Sequence, residues 1–206
     1  MNIRLHRGDL PADVNLGPIV AVDTETMGLN PIRDRLCLVQ LSAGDGNCEL
    51  VQIPQGARKA PNLQRLLEDP KTLKIFHFAR FDMAVLRHAF GVMAAPVYCT
   101  KIASKLARTY TDRHGLKDLT RELIGVEISK QQQSSDWGAE TLTDAQLAYA
   151  ASDVLYLHAL RQKLDAMLER EGRAGFALAA FAYLPERVRL DLAGFAEMDV
   201  FSHGYP

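Results

Sequence analysis

Ile19-Val20-Ala21-Val22-Asp23-Thr24-Glu25-Thr26-Met27-Gly28-Leu29 begins as an apolar, β-branched run and ends in two carboxylates two residues apart. The run reads as a buried strand. Side chains alternate along a strand, so Asp23 and Glu25 share a face. Two acids ~4 Å apart repel by about 4 kcal/mol at an intermediate dielectric. A divalent cation offsets that repulsion most directly. With oxygen ligands alone, the expected ion is hard, Mg²⁺ or Mn²⁺ rather than zinc.

Outward from this strand, Arg35–Ala43 and Cys48–Ile53 read as two further strands joined by the turn Gly44-Asp45-Gly46-Asn47. Short links make these three strands antiparallel neighbours. Residues 1–17, broken by Gly8, Pro11 and Gly17, read as a short edge strand or lead-in. Beyond them the period changes. Pro61–Glu68 is helical, Leu73–His77 is a buried strand, and Ala79–Phe90 is a helix closed by Gly91. Pro96–Cys99 is a short strand and Thr100–Tyr110 a helix. The sum is an α/β protein with a mixed five-stranded sheet, three antiparallel strands then βαβ, flanked by helices. Thr141–Arg170 reads as one long helix opened by a Thr143/Gln146 capping box. A last helix, Ala174–Leu184, stops near Pro185. The tail carries Phe195, Met198, Val200, Phe201 and Tyr205, apolar enough to pack on its own domain or on a neighbouring subunit.

The 206 residues, 48 % of them hydrophobic, suffice for one large core with a helical extension. With 24 basic and 25 acidic residues, the chain does not grip long nucleic acid through net positive charge. Cys37, Cys48 and Cys99 show no metal-binding or redox spacing and read as buried thiols in a reducing compartment. No apolar run reaches the ~20 residues of a membrane span. The first seven residues lack the core of a signal peptide, so a cytoplasmic location is expected.

Two further acids extend the first pair. Asp82 opens a helix after a buried strand, where it either favours the helix dipole or delivers a third oxygen to the sheet edge. Tyr149 and Asp153 are four apart on the long helix and share a face. The small residues between them let that helix approach the sheet. Asp153 then reaches the same edge, and the Tyr149 hydroxyl aims at a water beside it.

The ordered segments VAVDTETMGL, HFARFDMAVL and YAASDVLYL resemble the three motifs of the DEDD 3′–5′ exonucleases, in the variety with tyrosine at the last motif. Gln133-Ser134-Ser135-Asp136-Trp137 resembles the RNase D branch. The length, the TYTDRHGLK and SKQQQSSDW segments and the tail are most similar to the nanoRNase C type. The extra C-terminal helical domains of full-length RNase D are not expected here. Phe78 departs from the pattern, since many relatives carry Asn there.

The resemblance implies an RNase H-like core and a single exonuclease domain over residues 1–206. Its core is about 18–170, and 171–206 form a C-terminal helix and tail at a subunit interface. It implies two divalent cations, Mg²⁺ or Mn²⁺. Asp23 bridges both, Glu25 and Asp153 complete one shell, Asp82 acts on the other largely through water, and Tyr149 orients the attacking water. The implied substrate is short RNA, dinucleotides above all, with DNA 3′ ends as a further substrate. The implied assembly is a homo-oligomer, a ring-shaped octamer. An RNase D-like trimmer of longer RNA or DNA is the nearest alternative, and a non-catalytic nucleic-acid-binding module is the second.

For the substrate, backbone groups of Thr26, Met27 and Gly28 are expected to hold the terminal sugar. Leu29 is expected to wedge against the terminal base, with core packing as its alternative. His77 and Phe81 flank Asp82 and are candidates for sugar and base. Residues 101–117 hold five Lys/Arg against one Asp. Lys101, Lys105 and Arg108 share a helical face, and Arg113 and His114 follow near a turn. This stretch is either a solvated face or a cap for a 5′ phosphate. Trp137 reads as a packing anchor before a base platform.

Overall fold

The computed structural model describes residues 2–129 and 131–204. Lys130 of the SKQQQSSDW segment and Tyr205 of the tail therefore lie outside the described residues. A six-stranded mixed sheet forms the centre: β1 (Ile3–Arg7), β2 (Ile19–Thr26), β3 (Leu36–Ser42), β4 (Cys48–Gln52), β5 (Leu73–Phe76) and β6 (Val97–Cys99), in the spatial order β1-β4-β3-β2-β5-β6. β2, β3 and β4 are antiparallel, as their short turns require. β5 and β6 run parallel to β2. The sixth strand is the lead-in, β1, which pairs parallel with β4 and takes the sheet edge. It is mostly exposed, and its polar residues follow from that position.

Helices α1 (Pro61–Glu68), α2 (Ala79–Phe90), α3 (Thr100–Ala107), α4 (Leu116–Leu119), α5 (Asp144–Leu155), α6 (Leu157–Arg170) and α7 (Ala174–Leu190) surround the sheet. Gly91 closes α2 at φ 76°, and its N–H donates to Arg87 O. The capping box opens α5: Thr143 N donates to Gln146 Oε1 at 2.9 Å and Gln146 N to Thr143 Oγ1 at 3.2 Å.

The structure differs from the sequence expectation at three helices. The long helix is broken at Tyr156 (φ −104°, ψ −4°), giving α5 and α6. α5 packs over β2, β3 and β4, whereas α6 packs on β5, α3 and α7, and one straight cylinder cannot serve both. The last helix runs through Pro185 to Leu190. Its buried stripe, Ala177, Phe181, Leu184 and Val188, continues past the proline, and that packing outweighs a helix-interior cost of about 3 kcal/mol. Thr100–Tyr110 ends early, at Ala107. The chain then turns into α4 and a π-helical turn over Thr120–Ile124.

All three cysteines are buried free thiols. Among the described residues, no helix is long and apolar enough to cross a membrane.

Candidate active site

β2 delivers Asp23 and Glu25, and α5 delivers Asp153. One oxygen from each lies within 4.8 Å of the others. Asp23 sits opposite Gln40 of β3. The β2–β3 register then slips between Glu25 and Thr26, leaving Cys37 as the extra residue on β3. The slip bends the strand where its carboxylates end. Asp82, buried in the first turn of α2, stands to one side. Its Oδ1 accepts from Thr24 Oγ1 at 2.6 Å. Thr24 lies between Asp23 and Glu25 in β2, so this bond ties the first turn of α2 to the strand that carries them.

The electrostatics are those of crowded carboxylates. Burial first, then Asp82, Asp153 and Glu25, push the Asp23 carboxyl well above its ordinary range. Burial, with Asp153 and Asp82, pushes Glu25 up to about 9. Burial pushes Asp82 up to about 7, against the hydrogen bond from Thr24. The charges that raise Asp23 and Glu25 are those of other carboxylates. Three half-buried carboxylates that repel one another, with oxygens converging within 4.8 Å, fit a hard divalent cation.

Tyr149 lies one helical turn before Asp153. Burial, then Asp153, Glu25 and Asp23, raise its phenol, which stays neutral and hydrogen-bonds Asp153. Trp137 is buried, with its ring 6.0 Å from that of Tyr149. It anchors the tyrosine from below, in line with a packing role.

Two site residues escape a reading of the motifs. Gln40 is fully buried on β3 and donates from Nε2 to Asp23 Oδ2 at 3.3 Å. Thr24 holds Asp82. The signal for Gln40 is a polar side chain inside the apolar run Leu36–Leu41, facing the acidic strand across the ladder.

The flanking residues divide. Leu29 is 88 % exposed, so it belongs to no core and is available as a wedge. In the loop before it, Met27 N donates to Arg35 O at 3.1 Å and the Thr26 hydroxyl donates to Gly28 O, so part of the backbone reserved for a sugar is already engaged. A Cβ on Gly28 would lie 2.3 Å from Asp34 Oδ2, so a larger residue there would have to displace the Asp34 side chain. Phe81 is half-buried against the core. His77 Nδ1 lies 2.9 Å from Thr100 Oγ1, and that hydroxyl donates to Phe76 O at 3.2 Å. The pattern assigns the ring proton to Nδ1 and leaves Nε2 an acceptor. Burial, then Lys101, push this imidazole down to about 3, so it is neutral.

In the basic stretch, Lys105 and Arg113 are exposed. Lys101 Nζ lies 4.2 Å from the Phe78 ring centroid. His114 Nδ1 is 2.8 Å from Ser104 Oγ. Arg108 corrects the expectation of a shared solvent face, for it is fully buried. Its Nη1 donates to Arg113 O at 2.7 Å and Ser104 Oγ at 3.2 Å, and its Nη2 pairs with Glu122. It ties the loop after α3 to the π-helical turn instead of meeting substrate. Arg108→Ala is expected to cost about 3 kcal/mol of stability, since it empties a buried site and strands its acceptors. Urea unfolding would read this as a lower midpoint, and an unchanged midpoint would contradict the structural role.

A mixed sheet whose central strand ends in converging acids, with a third acid from a helix packed across it, defines a carboxylate-centred nuclease. The chain belongs to the 3′–5′ exonuclease family, whose sequence profile matches residues 9–169. It is similar to Brucella melitensis NrnC with bound Mg²⁺, at 60 % identity and TM-score 0.95, over 99 % of this chain and 100 % of that one. The same protein bound to pGG is similar at 61 % identity and TM-score 0.96, again over 99 % and 100 %. Ribonuclease D of Gluconacetobacter diazotrophicus is 37 % identical over 169 residues, which is 82 % of this chain and 42 % of that protein. The chain thus spans less than half the length of that curated relative.

Proposed function

We propose that this chain is a metal-dependent 3′–5′ exoribonuclease that hydrolyses short oligonucleotides, dinucleotides above all, to nucleoside 5′-monophosphates. The convergence of Asp23, Glu25 and Asp153, with Asp82 beside them, is the observation that carries the reading. It is supported by the family and by NrnC, which has been seen with Mg²⁺ and with pGG.

Asp23, Glu25 and Asp153 would hold one divalent cation, and Asp23 with Asp82 a second. Bound there, Mg²⁺ or Mn²⁺ supplies charge for the scissile phosphate, an acidified water and stabilisation of the leaving 3′ oxygen. The protein's own groups do the rest. Gln40 and Thr24 orient Asp23 and Asp82. The neutral Tyr149 hydroxyl, held by Asp153, positions the attacking water. Leu29 wedges against the terminal base, and the loop Thr26–Gly28 meets its sugar. His77 offers Nε2 to a sugar hydroxyl, with Phe81 beside it. Lys101, Lys105, Arg113 and His114 meet the 5′ phosphate, and Arg108 supports them from below.

In this reading, residues 1–206 form one exonuclease domain in the cytoplasm. The exposed Phe176, Leu178, Phe195, Met198, Val200 and Phe201 support a homo-oligomer, in its fullest form a ring-shaped octamer.

A turnover series tests the substrate. The protein with Mg²⁺ or Mn²⁺ meets 5′-phosphorylated RNAs from dinucleotide to long single strands, with matched DNAs and a chelator control. The fastest turnover is expected on the dinucleotide, with none in chelator. Equal or faster trimming of long RNA would favour an RNase D-like enzyme instead.

A further inference from the structure

Phe78 is the only non-glycine residue with positive φ among those described, at φ 71° and ψ 45°. That conformation suits glycine or asparagine, and a bulky aromatic pays for it in strain. The side chain is also 44 % exposed, so the ring gains little from burial. Phe78 is not part of the hydrophobic core, so core packing does not account for a phenylalanine there. An aromatic kept in a strained backbone beside an active site points to a role in binding.

Its place in the fold narrows that role. The carboxylates sit on β2. The loop bearing Leu29 leads from β2 to β3, on one side of them. Phe78 follows β5, Lys101 follows β6, and β5 and β6 lie on the other side, in that order. Adjacent strands are ~4.8 Å apart, so β6 lies roughly 10 Å from β2. Phe78 is one helical turn before Asp82, which Thr24 of β2 holds. A phosphodiester at the carboxylates would thus have one nucleotide on the Leu29 side and the next on the Phe78 side. Lys101 Nζ lies 4.2 Å from the Phe78 ring centroid, with part of the ring still open to solvent.

We infer that Phe78, backed by Lys101, is the stacking platform for the second nucleobase from the 3′ end. This rests on the exonuclease reading. It assigns Phe78 as a specificity-determining residue that detects the presence of a base and is tolerant of which base it is, because every base has a π-face.

The test uses Phe78→Asn, which removes the ring and accepts the left-handed backbone, so the variant folds and is expected to melt higher than the parent. Each protein is given two 5′-phosphorylated diribonucleotides, one complete and one abasic at the 5′ nucleotide. kcat/KM is measured with Mg²⁺, and equilibrium binding with Ca²⁺. The parent is expected to favour the complete substrate by about tenfold in both, and Phe78→Asn to lose that preference. Phe78→Trp is expected to keep it. An equal preference in the parent and Phe78→Asn overturns the stacking role while leaving the exonuclease reading intact. A parent inert on RNA of every length overturns both.

Discussion

Asp23→Asn is expected to lower turnover by about 10³-fold or more and, at the same time, to raise the melting temperature of the metal-free protein. The first effect follows from the carboxylate's place at the centre of the cluster, where it alone would touch both cations. Charge stabilisation worth several kcal/mol, lost from the transition state alone, corresponds to at least three powers of ten in rate. The second effect follows from the same geometry without metal. Asp23 is half-buried beside Asp82, Asp153 and Glu25, and each raises its carboxyl. Asparagine keeps the shape and removes the charge, so it relieves a repulsion that the folded protein otherwise bears. Melting curves with and without Mg²⁺ or Mn²⁺ separate the two. The parent gains stability from the cation through linkage, and Asp23→Asn starts higher and gains little. Retained turnover, or an undiminished gain from the cation, would remove Asp23 from the metal site.

The elements legible in the sequence are those whose cause is local. The run Ile19–Thr26, the αL cap at Gly91 and the Thr143/Gln146 box are each set by a handful of neighbouring residues. The acidic constellation is legible for a related reason: Asp23 and Glu25 close an apolar strand, Asp82 stands in the first turn of the helix after another, and Asp153 lies one turn after Tyr149 on a capped helix. What escaped depends on distant contacts. Pro185 looks like a stop until Phe181, Leu184 and Val188 are seen buried on both sides of it. Arg108 looks like a surface cation by helical spacing, yet Ser104, Arg113 and Glu122 enclose it. β1 reads as either an edge strand or a lead-in, and its polar residues do not decide between them; the parallel pairing with β4 does. Gln40 and Thr24 act through a cross-strand register and a helix 58 residues away, which no single segment encodes.

The stability of the metal-free protein is expected to fall as the pH rises from about 5 to about 9, the opposite of ordinary carboxylate-driven acid denaturation. Asp and Glu in an unfolded chain titrate near 4. In the fold, Asp82 is pushed up to about 7 and Glu25 to about 9, mainly by burial, with other acids adding to the shift. The native state therefore keeps protons that the unfolded chain has released. A carboxyl raised in this way contributes stability fully present below about pH 4 and lost as pH climbs through its folded value. Each proton held only by the native state gives a slope of about −1.4 kcal/mol per pH unit across that window. A saturating divalent cation replaces the protons and is expected to abolish the decline, since the ionised carboxylates then face positive charge. Asp23→Asn separates this cluster from every other titrating group, for it removes one charge from the mutual repulsion and leaves the histidines untouched. Urea unfolding in chelator across the pH range should give a shallower slope for Asp23→Asn than for the parent. Superimposable slopes would mean that the four acids do not titrate as one repelling cluster, and the case for a cation at their centre would lose its electrostatic half.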